Sequence, residues 1–265
     1  MTLLELEWCV GDPPFVWLHG FTHTAQSGYE FQRSLRATTP LCTIDLPGHG
    51  SRADVTSTLT DFADDIALSV GKPFDLGGYS LGGRLALHVA ARHPALIRRL
   101  IIVSATAGLR DPEERRQRRS SDEALARDCE STPLDVFMRQ WLAQPLFASL
   151  PHDAAELALR SRDPHGLANS LRTMGTGTQE PLDESLQRCT APTLIIVGER
   201  DEKFRREGER LVSVLPRAEL VVVADAGHAV HLEQPQEAFA ALLCGLVRGA
   251  HDLVRGVLAG ADDQA

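Results

Sequence analysis

Ser80, Asp201 and His228 are the residues of this chain that could together do chemistry. A serine hydroxyl is a weak nucleophile and a weak base alone. An imidazole within hydrogen-bond reach activates it, and a carboxylate behind the imidazole fixes its tautomer. Ser80 lies in Gly78-Tyr79-Ser80-Leu81-Gly82, a G-x-S-x-G run between an apolar stretch (Pro73 to Leu76) and a helical pattern (Arg84 to Ala91). The glycines permit a sharp strand-to-helix turn that exposes Oγ, and the helix N-terminus offers amides to negative charge. The same letters also fit a glycine-rich turn with a surface serine, so the rest of the chain must discriminate.

The chain has ten histidines. His228 stands apart because it follows a late apolar run, in Asp225-Ala226-Gly227-His228. His231 is the competing imidazole and reads as a helix-leading or packing residue. Asp201 closes Gly198-Glu199-Arg200-Asp201, where a parallel sheet presents its carboxyl edge. Asp225 reads as a turn residue, and Asp111 would serve only if the acid followed the earlier run ending at Val103. The order Ser…Asp…His is the one expected on an α/β-hydrolase sheet. The main-chain N–H groups of Leu81, at the elbow, and of Phe21, in His19-Gly20-Phe21, are the expected oxyanion donors.

Arg84 lies one helical turn after Ser80, so both can face one pocket. Arg118, Arg119 and Arg162 are further arginines that could join it. Guanidinium forks bind carboxylates bidentately, so a cluster of them implies a polyanionic small molecule, although a solvated helix face would account for each one singly. Trp141 and Phe147 flank an apolar segment that could line the same pocket or pack the interior of a helical layer.

The elements that must position these residues alternate short apolar runs with helical patterns, the signature of βα units and a mostly parallel sheet. Strands are expected at Phe15–Leu18, Leu41–Asp45, Pro73–Leu76, Leu100–Val103, Pro192–Gly198 and Glu219–Val223. Helices are expected over Asp61–Val70, with Phe62, Ile66 and Val70 on one face, and from Pro235 through Phe239, Leu242 and Leu246. The stretch 110–190 is helix-rich and arginine-rich, and reads as a cap inserted into a core formed by 1–109 and 191–250. Residues 251–265 read as a frayed, non-catalytic tail.

A formal net charge of -9 argues against a nucleic-acid partner. The composition, 43% apolar and 24% charged, is that of a soluble globular protein. No apolar run is long enough to span a membrane, and the first residues lack the features of a signal peptide, so a cytoplasmic protein is expected. Five scattered cysteines without a C-x-x-C pair suggest neither a zinc site nor a disulfide framework.

Four segments carry a closer resemblance: Gly78-Tyr79-Ser80-Leu81-Gly82-Gly83-Arg84; Trp141-Leu142-Ala143-Gln144-Pro145-Leu146-Phe147-Ala148-Ser149-Leu150; Leu159-Arg160-Ser161-Arg162 with Met174-Gly175-Thr176-Gly177; and Gly198-Glu199-Arg200-Asp201-Glu202-Lys203-Phe204. On these the chain resembles the 2-succinyl-6-hydroxy-2,4-cyclohexadiene-1-carboxylate synthase family of menaquinone biosynthesis, over nearly its whole length. The resemblance implies an α/β-hydrolase fold with a helical cap, and a cofactor- and metal-free lyase that removes pyruvate from a polycarboxylate. It implies Ser80, His228 and Asp201 as a base system, and Tyr79, Arg84, Arg118, Trp141, Phe147 and Arg162 as substrate-binding residues. Trp141-Leu142 stands where the family pattern has tryptophan followed by tyrosine. The rival readings are a carboxylic-ester hydrolase that acylates Ser80, which calls for an apolar acyl pocket, and a non-catalytic binding protein, which calls for a broken triad.

Overall fold

The computed structural model describes residues 14–151 and 153–247. The segment 251–265, read above as a tail, lies outside the described residues. Six strands, β1 (Phe15–Leu18), β2 (Leu41–Ile44), β3 (Phe74–Tyr79), β4 (Ile97–Val103), β5 (Thr193–Gly198) and β6 (Ala218–Val223), form one sheet in the order β2-β1-β3-β4-β5-β6. Every pairing is parallel. The strands are apolar almost throughout because both faces are covered. Alternate residues go to opposite sides: Val16, Leu18, Leu100, Ile102, Ile195 and Val197 join one buried cluster, while Phe15, Trp17, Ile101, Val103, Leu194 and Ile196 join another.

Helices α1 (Tyr29–Arg36), α2 (Leu59–Val70) and α3 (Leu81–Arg92) belong to the first half of the chain. Phe62 and Ile66 of α2 and Leu85 and Val89 of α3 pack on the first sheet face. Phe31 and Leu35 of α1 pack on the second. Thr58 caps α2 by accepting from the Asp61 amide, and Gly71 ends it in a left-handed conformation at φ 63°. α2 therefore begins two residues before the expected start at Asp61.

Between β4 and β5 the chain forms α4 (Pro112–Ser131), α5 (Leu134–Leu142), α6 (Ala154–Ala158), α7 (Pro164–Met174) and α8 (Asp183–Leu186). Ala126, Cys129, Phe137, Leu167, Ala168 and Leu171 make a separate buried cluster there. After β5 come α9 (Glu202–Val214), α10 (Val230–Glu233) and α11 (Pro235–Val247). Leu211 of α9 returns to the first face and Leu242 of α11 to the second. Among the described residues no helix is long and apolar enough to cross a membrane.

The cysteine reading needs a correction. Cys42, buried on β2, is disulfide-bonded, while Cys129, Cys189 and Cys244 are free. Spacing could not reveal this, because disulfides depend on distances set by the fold.

Candidate active site

The register aligns the carboxyl ends of the strands: Leu18 lies opposite Gly78, Tyr79 opposite Val103, Val103 opposite Ile196, and Gly198 opposite Val223. The loops leaving these ends carry Phe21, Ser80, Ser104, Asp201 and His228 to one edge of the sheet. The chain runs from β1 outward to β2 and then back across to β3, so the loops after β1 and β3 diverge and leave a crevice between them.

Ser80 joins β3 to α3 with φ 51° and ψ −106°, a conformation that non-glycine residues rarely adopt and that costs roughly 1–3 kcal/mol. It is held by Ser80 N–H donating to Val103 O at 2.9 Å and by Arg84 N–H donating to Ser80 O at 2.9 Å. Close backbone packing completes the turn. A Cβ on Gly82 would lie 2.1 Å from Leu18 O, and one on Gly78 would lie 2.4 Å from the Gly82 carbonyl carbon. Gly82→Ala is therefore expected to lose roughly 1–3 kcal/mol of stability. A drop of several degrees in thermal unfolding checks this, and an unchanged Tm would show that the elbow can shift.

His228 reaches both partners. Its Nδ1–H donates to Asp201 Oδ2 at 2.8 Å, and its Nε2 lies 3.2 Å from Ser80 Oγ. Asp201 is also the N-cap of α9, its Oδ1 accepting from Phe204 N–H at 3.2 Å, so its carboxylate is fixed before it meets the imidazole. Asp225 lies on the surface paired with Arg200 at 2.7 Å, and Asp111 caps α4. His231 packs in an aromatic nest with Trp17, Phe31 and Tyr79.

Phe21 and Leu81 line the cavity over Ser80 and His228. Neither amide donates to an acceptor among the described residues, so both are available to an incoming oxygen. Arg84 and Arg118 line the same cavity. Arg84 is buried and donates to Met174 O at 2.7 Å. Burial, helped by repulsion from Arg118 and opposed by Asp122, pushes its pKa down to about 9, so it stays charged at neutral pH. Arg118 Nε donates to Asp122 Oδ1 at 2.7 Å, and Asp122 is itself fixed by Gly177 N–H at 3.1 Å. Arg119, its neighbour, donates instead to Gly177 O at 3.3 Å and is not among the lining residues. Trp141 and Phe147 also line the cavity, their rings 5.4 Å apart, with Trp141 edge-on to Phe21 at 5.0 Å.

Two expected contacts are placed elsewhere. Tyr79 is buried behind the cavity, its ring 5.3 Å from His228 and 4.5 Å from His231. As the last residue of β3 it points to the sheet face opposite the elbow helix. Arg162 is exposed and outside the lining. Arg160, which sequence reasoning passed over, is buried and donates to Thr22 Oγ1. The signal was two arginines flanking Ser161. Only the tertiary contact of Ser161 N–H with Thr22 O at 2.8 Å shows which one turns inward. Further bonds, Thr24 Oγ1 to Leu159 O at 2.7 Å and Gly28 N–H to Glu156 at 3.0 Å, staple this segment to the loop after β1. That loop carries the Phe21 amide.

This parallel sheet, with a serine elbow after β3 and its acid and histidine after later strands, defines an α/β hydrolase, and the Alpha/beta hydrolase family model matches residues 15–242. More narrowly, the chain is 36% identical over 242 residues to 2-succinyl-6-hydroxy-2,4-cyclohexadiene-1-carboxylate synthase of Klebsiella pneumoniae, covering 88% of this chain and 93% of the other. It is 33% identical over 243 residues to the synthase of the same name from Escherichia coli, with the same coverage. The solved structure of MenH from S. aureus superposes with a TM-score of 0.81 at 32% identity, over 88% of this chain and 92% of that one. The chain belongs to the 2-succinyl-6-hydroxy-2,4-cyclohexadiene-1-carboxylate synthase family.

Proposed function

We propose that this protein eliminates pyruvate from 2-succinyl-5-enolpyruvyl-6-hydroxy-3-cyclohexene-1-carboxylate to give 2-succinyl-6-hydroxy-2,4-cyclohexadiene-1-carboxylate. The observation that carries this reading is a Ser80–His228–Asp201 relay facing a cavity walled by Arg84 and Arg118. Moving from a 3-ene to a 2,4-diene with the leaving group at C5 defines the electron flow. The C2–H pair becomes C2=C3, the C3=C4 pair becomes C4=C5, and the C5–O bond breaks. The C2 proton passes to the Ser80–His228 pair, with the Nδ1–H···Asp201 bond stabilising the imidazolium. Charge that builds on the succinyl carbonyl beside C2 is met by the Phe21 and Leu81 amides. The departing enolpyruvate takes up a proton and becomes pyruvate. Ser80 thus acts as part of a base and forms no acyl intermediate. The substrate has carboxylates on its succinyl, enolpyruvyl and ring positions, and the arginine wall suits them. The helices of 110–190 serve as the cap that brings Arg118, Trp141 and Phe147 over the core.

Purified protein given this substrate is expected to release pyruvate, followed by coupling to lactate dehydrogenase. Turnover of a chromogenic ester with an acyl burst and no pyruvate release would overturn the reading. Arg84→Ala is expected to lower kcat/KM roughly 10–100-fold, the worth of a charge-assisted bond to a carboxylate. An undiminished kcat/KM in a folded variant would remove the anionic pocket from the account.

A further inference from the structure

We propose that Ser104 is a substrate-binding residue whose hydroxyl pairs with the ring hydroxyl of the substrate. The inference rests on the lyase reading above. Ser104 follows the last residue of β4, and β4 is the strand whose Val103 carbonyl holds the elbow amide. Its φ of 47° lies in the left-handed region that favours glycine. It is wholly buried, its Oγ has no hydrogen-bond partner, and it lines the cavity beside Ser80, Arg84 and His228.

Among the lining residues the two properties meet at Ser104. Ser170 Oγ and Trp141 Nε1 also lack a partner, but neither residue has a positive φ. Ser80 has a positive φ, but its Oγ lies 3.2 Å from His228 Nε2. Thr106, two residues on, also lines the cavity, but its hydroxyl donates to Glu207 Oε2 at 2.7 Å and accepts from Gly108 N–H at 3.1 Å. Nor can the Ser104 backbone relax easily. Its N–H donates to Ile196 O at 3.0 Å, and Ala105 packs so closely on α3 that a Cβ on Gly83 would come within 2.6 Å of the Ala105 Cβ. Glycine would meet the positive φ without strain, and alanine would bury no unpaired oxygen. Serine bears both penalties, and a backbone outlier with an orphaned polar atom in a binding cavity marks a ligand contact.

The chemistry of the wall selects the ligand atom. Carboxylates go to the guanidinium groups of Arg84 and Arg118. A hydroxyl both donates and accepts, which matches a neutral hydroxyl that remains on the ring throughout the reaction.

The test compares binding of the hydroxylated product with binding of 2-succinylbenzoate, which keeps the succinyl and ring carboxylates and lacks the ring hydroxyl. By titration calorimetry, Ser104→Ala is expected to weaken the hydroxylated product about tenfold and to leave 2-succinylbenzoate within about twofold. Ser104→Gly should behave the same way while raising Tm, because it relieves the backbone. Equal effects on both ligands, or no effect on either, would overturn the proposal; the second result would mean that the hydroxyl holds only water. The parent enzyme's pyruvate release is measured alongside. Its absence would sink the lyase reading without altering the binding comparison.

Discussion

His228→Ala is expected to lower kcat for pyruvate release by about 10²–10⁴-fold, the span that a positioned general base contributes, with a much smaller change in KM. The imidazole is the only group bridging Ser80 Oγ to the Asp201 carboxylate in the described structure, at 3.2 and 2.8 Å. Without it the serine keeps its ordinary, very weak basicity. On the proposed reading the carboxylates go to Arg84 and Arg118, so substrate should still dock. Asp201→Asn should also lose most of the rate, because an amide in place of the carboxylate no longer fixes the tautomer that leaves Nε2 free toward Ser80. Asp225→Asn is the control. That side chain is exposed and paired with Arg200, and its replacement should leave kcat/KM within about twofold. Steady-state kinetics of the three variants, with a circular dichroism melt of each, check the assignment. A large loss in Asp225→Asn with little in Asp201→Asn would reverse it.

Acid should unfold this protein well before its carboxylates titrate. Five histidines are buried and held neutral: burial pushes His19 and His88 down to about 4, His49 and His231 to about 3, and His23 well below its ordinary value. His23 and His231 also face the buried guanidinium of Arg160, which repels a further proton. The native chain therefore leaves these rings unprotonated where the unfolded chain, titrating near pH 6.5, takes protons up. The unfolded state binds more protons below that pH, so stability is fully present above it and falls as pH falls. Each ring costs about 1.4 kcal/mol per pH unit once below 6.5. Between pH 7 and 5.5 the five together remove about 6 kcal/mol, comparable with the whole stability of an ordinary domain. Thermal melts across this range should show Tm dropping steeply, with net proton uptake on unfolding. A Tm that stays flat down to pH 5 would contradict the account.

How legible the molecule is in its sequence depends on how local each signal is. The elbow residue Ser80 and the turn residues Asp201 and His228 are legible because each sits in a short motif at the end of an apolar run, and a parallel sheet brings such ends to one edge. The strands are legible for the same reason, with boundaries off by a residue or more where polar Arg98 and Arg99 extend β4 at the sheet margin. Arg160 is not legible, since it differs from Arg162 only in which way an irregular segment turns. Nor is the orientation of Tyr79, which follows from strand alternation once the strand is extended to Tyr79. Ser104 has no motif at all: its positive φ and its orphaned hydroxyl exist only in three dimensions.

One consequence of the topology concerns the order in which the protein assembles. β4 and β5 are hydrogen-bonded neighbours in the sheet, yet five helices separate them in the chain. The first four strands join through shorter connections, whereas β5 must return across the whole helical stretch from α4 to α8. The chain entropy of closing so long a loop rises only logarithmically, by about 0.6 kcal/mol per doubling. This long connection is thus inexpensive at equilibrium and is felt mainly as time, because non-local strand pairing is slow. β5 and β6 carry Asp201 and His228 on their carboxyl ends, while Ser80 belongs to the early half. During refolding the serine elbow should form first, and activity should return in a later phase than most of the β-sheet signal.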